Sequence, residues 1–244
     1  MSYSTAHVHQ AIILAGGKAT RLRPYTDTRP KAMVQIAGRP IIDYQLDWLA
    51  SHGVEHVVVS CGYKAEVLQQ HLESQARPID VRVLVESEPL GRGGALKYAA
   101  SGLRAKDQRY FALNGDILTW FRLDELAGLH LARSALATLA LAQYRTSYGI
   151  VEVDTDGRIA GFTQSPLLPF WINAGVYLFE PDVTGLLPDK GDHEDSTFPK
   201  LAQDGLLAGY RIDGYWRGVD TVKDVTEASE QVPAVLASLT VPST

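Results

Sequence analysis

The chain has 244 residues, 45% of them hydrophobic and 21% charged, a balance that fits one globular α/β domain and excludes a disordered or fibrous chain. A net charge of −5 with a pI near 5.8 argues against broad nucleic-acid or anionic-membrane binding, so neither is expected as a partner. The lone cysteine, Cys61, excludes an internal disulfide and any multi-cysteine metal centre, and its place at the end of an apolar run predicts a buried thiol. No apolar run approaches the ~18 residues of a membrane span. Residues 1–9 are polar, lack a signal-peptide core and are expected to form a flexible extension, with the cytoplasm as the default location.

A short apolar run over 11–15 has the length and bounds of a buried first strand, and it empties into Gly16-Gly17. A strand ending in Gly-Gly presents bare backbone N–H groups that a polyphosphate can approach closely. Arg21 and Lys31 place two cations within reach of that loop. Ile42, Leu46 and Leu49 mark one face of a helix over 41–52, stopped by Gly53. A valine-rich strand over 54–61 follows, then a helix over 65–74, a strand over 81–85 and a helix over 94–103. The strand over 110–113 ends in Asn114-Gly115-Asp116, and a helix over 123–133 leads to a strand over 137–144. Strands over 149–153, 159–164 and 172–179, joined by turns such as Asp154-Thr155-Asp156-Gly157, give the second half a more antiparallel character. Helices over 182–187 and 197–205, a strand over 207–212 and a helix from about 222 close the chain. This alternation predicts a three-layer α/β architecture with a mostly parallel mixed sheet, and one domain over 10–244 with no room for a C-terminal β-helix.

The glycine loop fits neither G-x-x-x-x-G-K-[ST] nor G-x-G-x-x-G. Leu14-Ala15-Gly16-Gly17-Lys18-Ala19-Thr20-Arg21-Leu22-Arg23-Pro24, with Pro30-Lys31 beyond, instead resembles the signature of the sugar-1-phosphate nucleotidylyltransferases, L-A-G-G-x-G-T-R-L-x-P and P-K. Ala19 stands where that family usually has glycine. The overall pattern is most similar to guanylyltransferases acting on mannose or heptose 1-phosphate. The resemblance implies a Rossmann-like nucleotidyltransferase fold with a smaller antiparallel sugar-side region. It makes Arg21, Lys31 and Asp116 catalytic, and Leu14, Ala15, Gly16 and Gly17 the nucleotide loop. Glu86-Ser87-Glu88-Pro89-Leu90-Gly91-Arg92-Gly93-Gly94 is similar to the segment E-x-E-P-L-G-T-A-G, which assigns Glu86 and Gly91 to the nucleobase. Arg92, at the usual threonine, would add a phosphate contact or alter the base pocket.

Asn114-Gly115-Asp116 resembles the family's N-G-D motif, whose aspartate holds Mg2+. The second metal aspartate is expected from a W-x-D segment, but Gly218 occupies its place here. Asp220 is similar to the M-D-T arrangement of related cytidylyltransferases; positions two apart on a strand point the same way, so Asp220 is expected to reach the metal. On the sugar side the resemblance implicates Gly149 and Asn173, with Gln164 replacing a glutamate and Ser165 replacing the lysine of F-x-E-K-P. Arg145, Arg217 and Arg92 are the alternatives for that missing charge. His130 and His193 show no ligand spacing.

These parts imply attack of a sugar 1-phosphate oxygen on the α-phosphorus of a nucleoside triphosphate, giving an NDP-sugar and pyrophosphate with Mg2+ as cofactor. A carboxylate at position 86 can accept from a purine N1–H and its exocyclic amine together, which favours GTP over UTP, CTP, dTTP or ATP. A weakly active regulatory homologue that binds nucleotide-sugar is the alternative, and self-association into a homo-oligomer stays open. A glycosyltransferase would need a D-x-D metal motif; Asp154-Thr155-Asp156 has that spacing, but Gly157 marks it as a turn.

Overall fold

A computed structural model of the chain describes residues 7–146 and 148–239. The first strand, β1 (Gln10–Leu14), is buried on both faces, as a central parallel strand must be. Two 3-10 turns, Thr20–Leu22 and Lys31–Met33, bracket the loop that follows it. A two-residue ribbon, β2 (Gln35–Ile36) with β3 (Arg39–Pro40), leads into α1 (Ile41–Ser51), β4 (His56–Cys61), α2 (Ala65–Glu73) and β5 (Asp80–Val85). Next come α3 (Gly91–Ala100), β6 (Tyr110–Asn114), β7 (Ile117–Trp120), α4 (Leu123–Arg133) and β8 (Ala137–Arg145). The second half holds β9 (Ile150–Val153), β10 (Ile159–Thr163), β11 (Leu167–Phe179), α5 (Val183–Leu186) and α6 (Thr197–Gln203). It ends with β12 (Leu207–Arg211), β13 (Tyr215–Gly218) and α7 (Val222–Leu239).

Seven strands form the main sheet in the order β12-β8-β11-β6-β1-β4-β5. All neighbours are parallel except β11, which runs antiparallel to both β6 and β8. Period-two alternation divides the core between the two faces. Ala11 and Ile13 pack with α1, α2, α4 and α7, while Ile12 packs with α3, α5 and α6. This is the expected three-layer α/β fold with a mostly parallel mixed sheet. The antiparallel region is present as the β9–β10 hairpin at the far ends of β8 and β11, and Val153, Ile159 and Phe162 leave apolar surface exposed there. Asp154-Thr155-Asp156-Gly157 is the turn of that hairpin: the Asp154 carboxylate accepts from the N–H groups of Asp156 and Arg158, so no D-x-D metal site exists there.

Residues 1–6 of the expected N-terminal extension lie outside the described residues, but Val8 is buried and the His9 carbonyl accepts from Glu55 and His56, so packing begins before β1. Helix α3 begins at Gly91, three residues before the expected start, because the Gly191 carbonyl accepts from the N–H groups of Gly93 and Gly94 at 2.8 and 3.2 Å. That tertiary cap stands in for the capping side chain whose absence hid the true start. Strand β11 starts at Leu167 rather than residue 172 because its first half pairs with the end of β8 beyond the sheet. Cys61 is buried as expected, and burial pushes its thiol up to about 12. His130 is a core residue sharing hydrogen bonds with Thr138 and Glu180, and His193 is buried as well. Among the described residues no helix is long and apolar enough to cross a membrane.

Candidate active site

The carboxyl ends of β1 and β6 lie side by side, with Leu14 opposite Asn114 in register. Open α/β sheets bind ligands at such strand ends, and a cleft of about 400 Å3 opens there. Leu14, Ala15, Gly16, Gly17, Lys31, Glu86, Gly91, Asn114 and Asp116 all line it. The loop backbone at Gly16 runs close beside the Glu86 carboxylate, where an added Cβ would sit 2.9 Å from Oε1. Ala19, at the family's glycine, adopts the left-handed conformation with φ 43° and ψ 52°. The turn is held by Thr26, whose hydroxyl donates to the Ala19 carbonyl at 3.0 Å.

Lys31 is the electrostatic centre of the site. Its Nζ donates to Asp116 Oδ2 at 2.7 Å and to Asp220 Oδ1 at 2.8 Å, and its side chain is only 12% exposed. Arg21 reaches the same Asp220 oxygen at 3.0 Å. The sequence-implied quartet Arg21, Lys31, Asp116 and Asp220 is therefore one contact network. Asp220 gets there differently from the expectation, because β13 ends at Gly218 and Asp220 lies in the loop beyond it. Gly218 pairs with Ile117 of β7, and the Val219 N–H donates to the Asp116 carbonyl at 2.8 Å, which fastens the Asp220 loop to the Asp116 turn. A Cβ at Gly218 would lie 3.7 Å from Asp220 Oδ2, so the Asp220 carboxylate folds back towards the place a side chain at 218 would fill. Asp224, the other nearby carboxylate, accepts from the backbone N–H and hydroxyl of Thr221, both at 2.8 Å, and caps α7 instead.

Two carboxylates on one ammonium suit a hard dication, which typically takes one or two carboxylates and completes its shell with phosphate oxygens and water. Among the described residues no group of three His, Cys, Asp or Glu forms a ready metal cage, so Asp116 and Asp220 are the donors available here.

Glu86 follows β5, and its Oε1 accepts from the Ser60 hydroxyl at 2.9 Å, which fixes the carboxylate against the glycine loop. Gly91 has φ 75° and an added Cβ would clash with the Gly191 carbonyl at 2.7 Å, so glycine is required by both conformation and space. Arg92 lines the cleft together with Glu86 and Gly91. Its N–H and guanidinium each donate to Asp192 at 2.8 Å, and its guanidinium also pairs with Glu194. The Arg92 hydrogen bonds hold the Asp192 carboxyl below the usual carboxylate range.

The three expected sugar residues separate. Asn173 donates to Glu194 at 2.8 Å and to the Tyr177 hydroxyl at 3.0 Å, so it joins the Arg92 cluster. Gln164 is exposed on the hairpin and donates to the Ser165 hydroxyl at 3.3 Å, while Gly149 packs under the Phe162 ring. Neither lines the cleft. Of the three cations considered for the missing lysine, Arg92 is paired with Asp192 and Glu194, and Arg217 with Asp224 and Glu227. Arg145 is exposed, donates to the Ser165 carbonyl at 2.7 Å and has no carboxylate partner among the described residues. Asp192 and Glu194 escaped sequence reading because they lie in an irregular polar loop, where no periodicity marks which side chains turn inward.

Mannose-1-phosphate guanyltransferase of Neurospora crassa is 34% identical over 224 residues, 88% of this chain and 62% of that protein. Mannose-1-phosphate guanylyltransferase catalytic subunit beta of Drosophila melanogaster is 32% identical over 222 residues, 88% of this chain and 60% of that protein. The chain thus spans about three fifths of the length of these relatives. The crystal structure of HddC from Yersinia pseudotuberculosis matches with a TM-score of 0.71 and 27% identity, covering 92% of this chain and 100% of that one. The same protein complexed with GMP-PN matches with a TM-score of 0.71 and 26% identity. With a match to the Nucleotidyl transferase family over residues 10–234, the chain belongs to that family.

Proposed function

We propose that the chain transfers a nucleoside monophosphate from GTP to a sugar 1-phosphate, mannose or a manno-configured heptose, releasing pyrophosphate. The observation that carries this reading is the convergence of Lys31 on Asp116 and Asp220 at the rim of a cleft lined by Gly16, Gly17 and Glu86. The guanylyltransferase names of the relatives and the GMP-PN complex of HddC support it.

The attacking phosphate is already ionised near neutral pH, so the reaction needs no general base, and catalysis is positioning plus charge stabilisation. The backbone N–H groups of Gly16 and Gly17 receive the triphosphate. Arg21 holds the departing β- and γ-phosphates, and Lys31 moves from its carboxylates onto the α-phosphate and the incoming sugar phosphate. Of the cations considered for the charge that position 165 lacks, Arg145 is the one with no carboxylate partner among the described residues. Mg2+ held by Asp116 and Asp220 supplies neutralisation of phosphate charge when bound. Glu86, oriented by Ser60, accepts from guanine N1–H and its amine.

The test is a matrix of five nucleoside triphosphates against a panel of sugar 1-phosphates, read as pyrophosphate release. GTP with mannose 1-phosphate should lead, and the GTP preference should weaken in Glu86→Gln. Preference for a pyrimidine nucleotide would overturn the base assignment, and no release with any pair would overturn the transfer reading.

A further inference from the structure

The cleft has a polar wall that the nucleotide roles leave unused. It is built from Arg92 at the start of α3 and Asp192 in the loop between α5 and α6, and both face the cleft beside Asn114. Glu86 is bonded to Ser60 of β4, which places the base-reading end on the β4–β5 side of the sheet. The Arg92 cluster runs the other way. Glu194 accepts from Asn173 and Tyr177 of β11, on the far side of β6. The wall therefore spans from the phosphate loop towards β11, on the opposite side of β1 and β6 from Glu86.

Its charge decides what it can bind. One guanidinium faces two carboxylates, so the cluster keeps a net negative charge and Arg92 has little attraction left for a phosphate. An ionised carboxylate offers about four lone-pair sites. The Asp192 oxygens each accept one bond from Arg92, and Asp192 Oδ1 and Oδ2 retain sites for hydroxyl donors. Hydroxyl-to-carboxylate bonds are charge-assisted and roughly twice as strong as neutral ones. Asn114 lines the same cleft: its Nδ2 lies against Gly175 of β11, and its buried Oδ1 has no hydrogen-bond partner among the described residues. Gln164 and Gly149, by contrast, do not reach the cleft.

We propose that Asp192, oriented by Arg92, reads the hydroxyls of the sugar substrate and sets which sugar 1-phosphate is accepted. This rests on the transfer reading above. Binding a polyol here costs little preorganisation, since Arg92 already holds the carboxylate through two bonds. The loop that carries Asp192 is itself anchored by the Gly191 carbonyl at the α3 N-terminus and by the Ser196 hydroxyl on the Asp192 carbonyl at 2.7 Å.

Asp192→Asn keeps the shape of the side chain and removes its charge, and Asp192→Ser tests the same point without the carboxamide. Each variant is assayed with GTP and with mannose 1-phosphate and its monodeoxy analogues, alongside the wild type. The KM for mannose 1-phosphate should rise about tenfold or more, while the KM for GTP stays within about twofold. The wild type should reject one deoxy analogue by about tenfold, and the variants should lose most of that discrimination, which a merely structural defect would not produce. Equal losses on every sugar, a rise confined to the KM for GTP, or unchanged constants in both variants would overturn the assignment to Asp192 and leave the transfer reading standing. A wild-type protein that releases no pyrophosphate with any pair would overturn both.

Discussion

Lys31 is 12% exposed and bonded to two carboxylates, so its charge is fixed in place before any substrate arrives. Removing one preorganised charge contact costs roughly 3 kcal/mol, so Lys31→Ala and Arg21→Ala should each lower kcat about a hundredfold or more, with unchanged circular dichroism. Near-normal turnover in both would remove the basis of the mechanism. Ala19 presents a different question, because its φ of 43° is a conformation that costs an L-residue about 1–2 kcal/mol. Glycine escapes that strain but has a more mobile unfolded chain, an offset of about 0.4–1 kcal/mol. Ala19→Gly should therefore stabilise the protein by up to about 1 kcal/mol, a rise of roughly 2–4 °C in melting temperature. A lower melting temperature would mean that the loop carries no such strain. Both the cations and Ala19 were legible in the sequence, because a glycine turn and its flanking charges form a local pattern. Asp192 was not, because its role depends on where an irregular loop returns against α3.

The elements that aim the second aspartate were the hardest to read. Strands β7 and β13 have four residues each, directly after an Asn-Gly-Asp turn and before a helix. Runs that short have no distinctive periodicity, and they exist as strands only because they pair with each other. The longer elements showed their period plainly: α4 was expected over the residues it occupies, and α1 to within one residue. The α7 cap joins stability to the site. Asp224 accepts from Thr221 and from the Asp220 N–H at 3.1 Å, so the cap also shapes the loop that aims Asp220. Asp224→Ala should cost about 1 kcal/mol of stability, the usual loss for a helix cap, while retaining measurable turnover. Asp220→Asn should instead leave the melting temperature nearly unchanged and abolish turnover or sharply raise the Mg2+ requirement. The reverse pattern, an inactive Asp224→Asn and a silent Asp220→Asn, would move the proposed metal ligand to Asp224.

At the scale of the whole molecule, the layer formed by α3, α5 and α6 buries an ionisable group, His193, that has no hydrogen-bond partner among the described residues. His193 is fully buried, stacks edge-on against Tyr177 and Phe198 with centroids 5.4 and 4.6 Å away, and neither ring nitrogen has a hydrogen bond among the described residues. Burial, helped by the nearby Arg92 charge, pushes its pKa down to about 4. The unfolded chain binds that proton near pH 6.5, so between pH 6.5 and about 4 the unfolded state holds more protons than the native state. Stability therefore falls as pH drops through that window, and this residue stops contributing to the loss below about pH 4. A depression of this size corresponds to roughly 3 kcal/mol at the acid end. Replacement by phenylalanine keeps the aromatic packing and removes both the titration and the unpaired nitrogens. His193→Phe should be at least as stable as the wild type at pH 7, since a buried polar group without a partner costs about 1–3 kcal/mol. Its denaturation midpoint should also fall less steeply between pH 6.5 and 4. Urea titrations across that range provide the measurement, and parallel acid limbs for the two proteins would show that His193 is not the group that titrates.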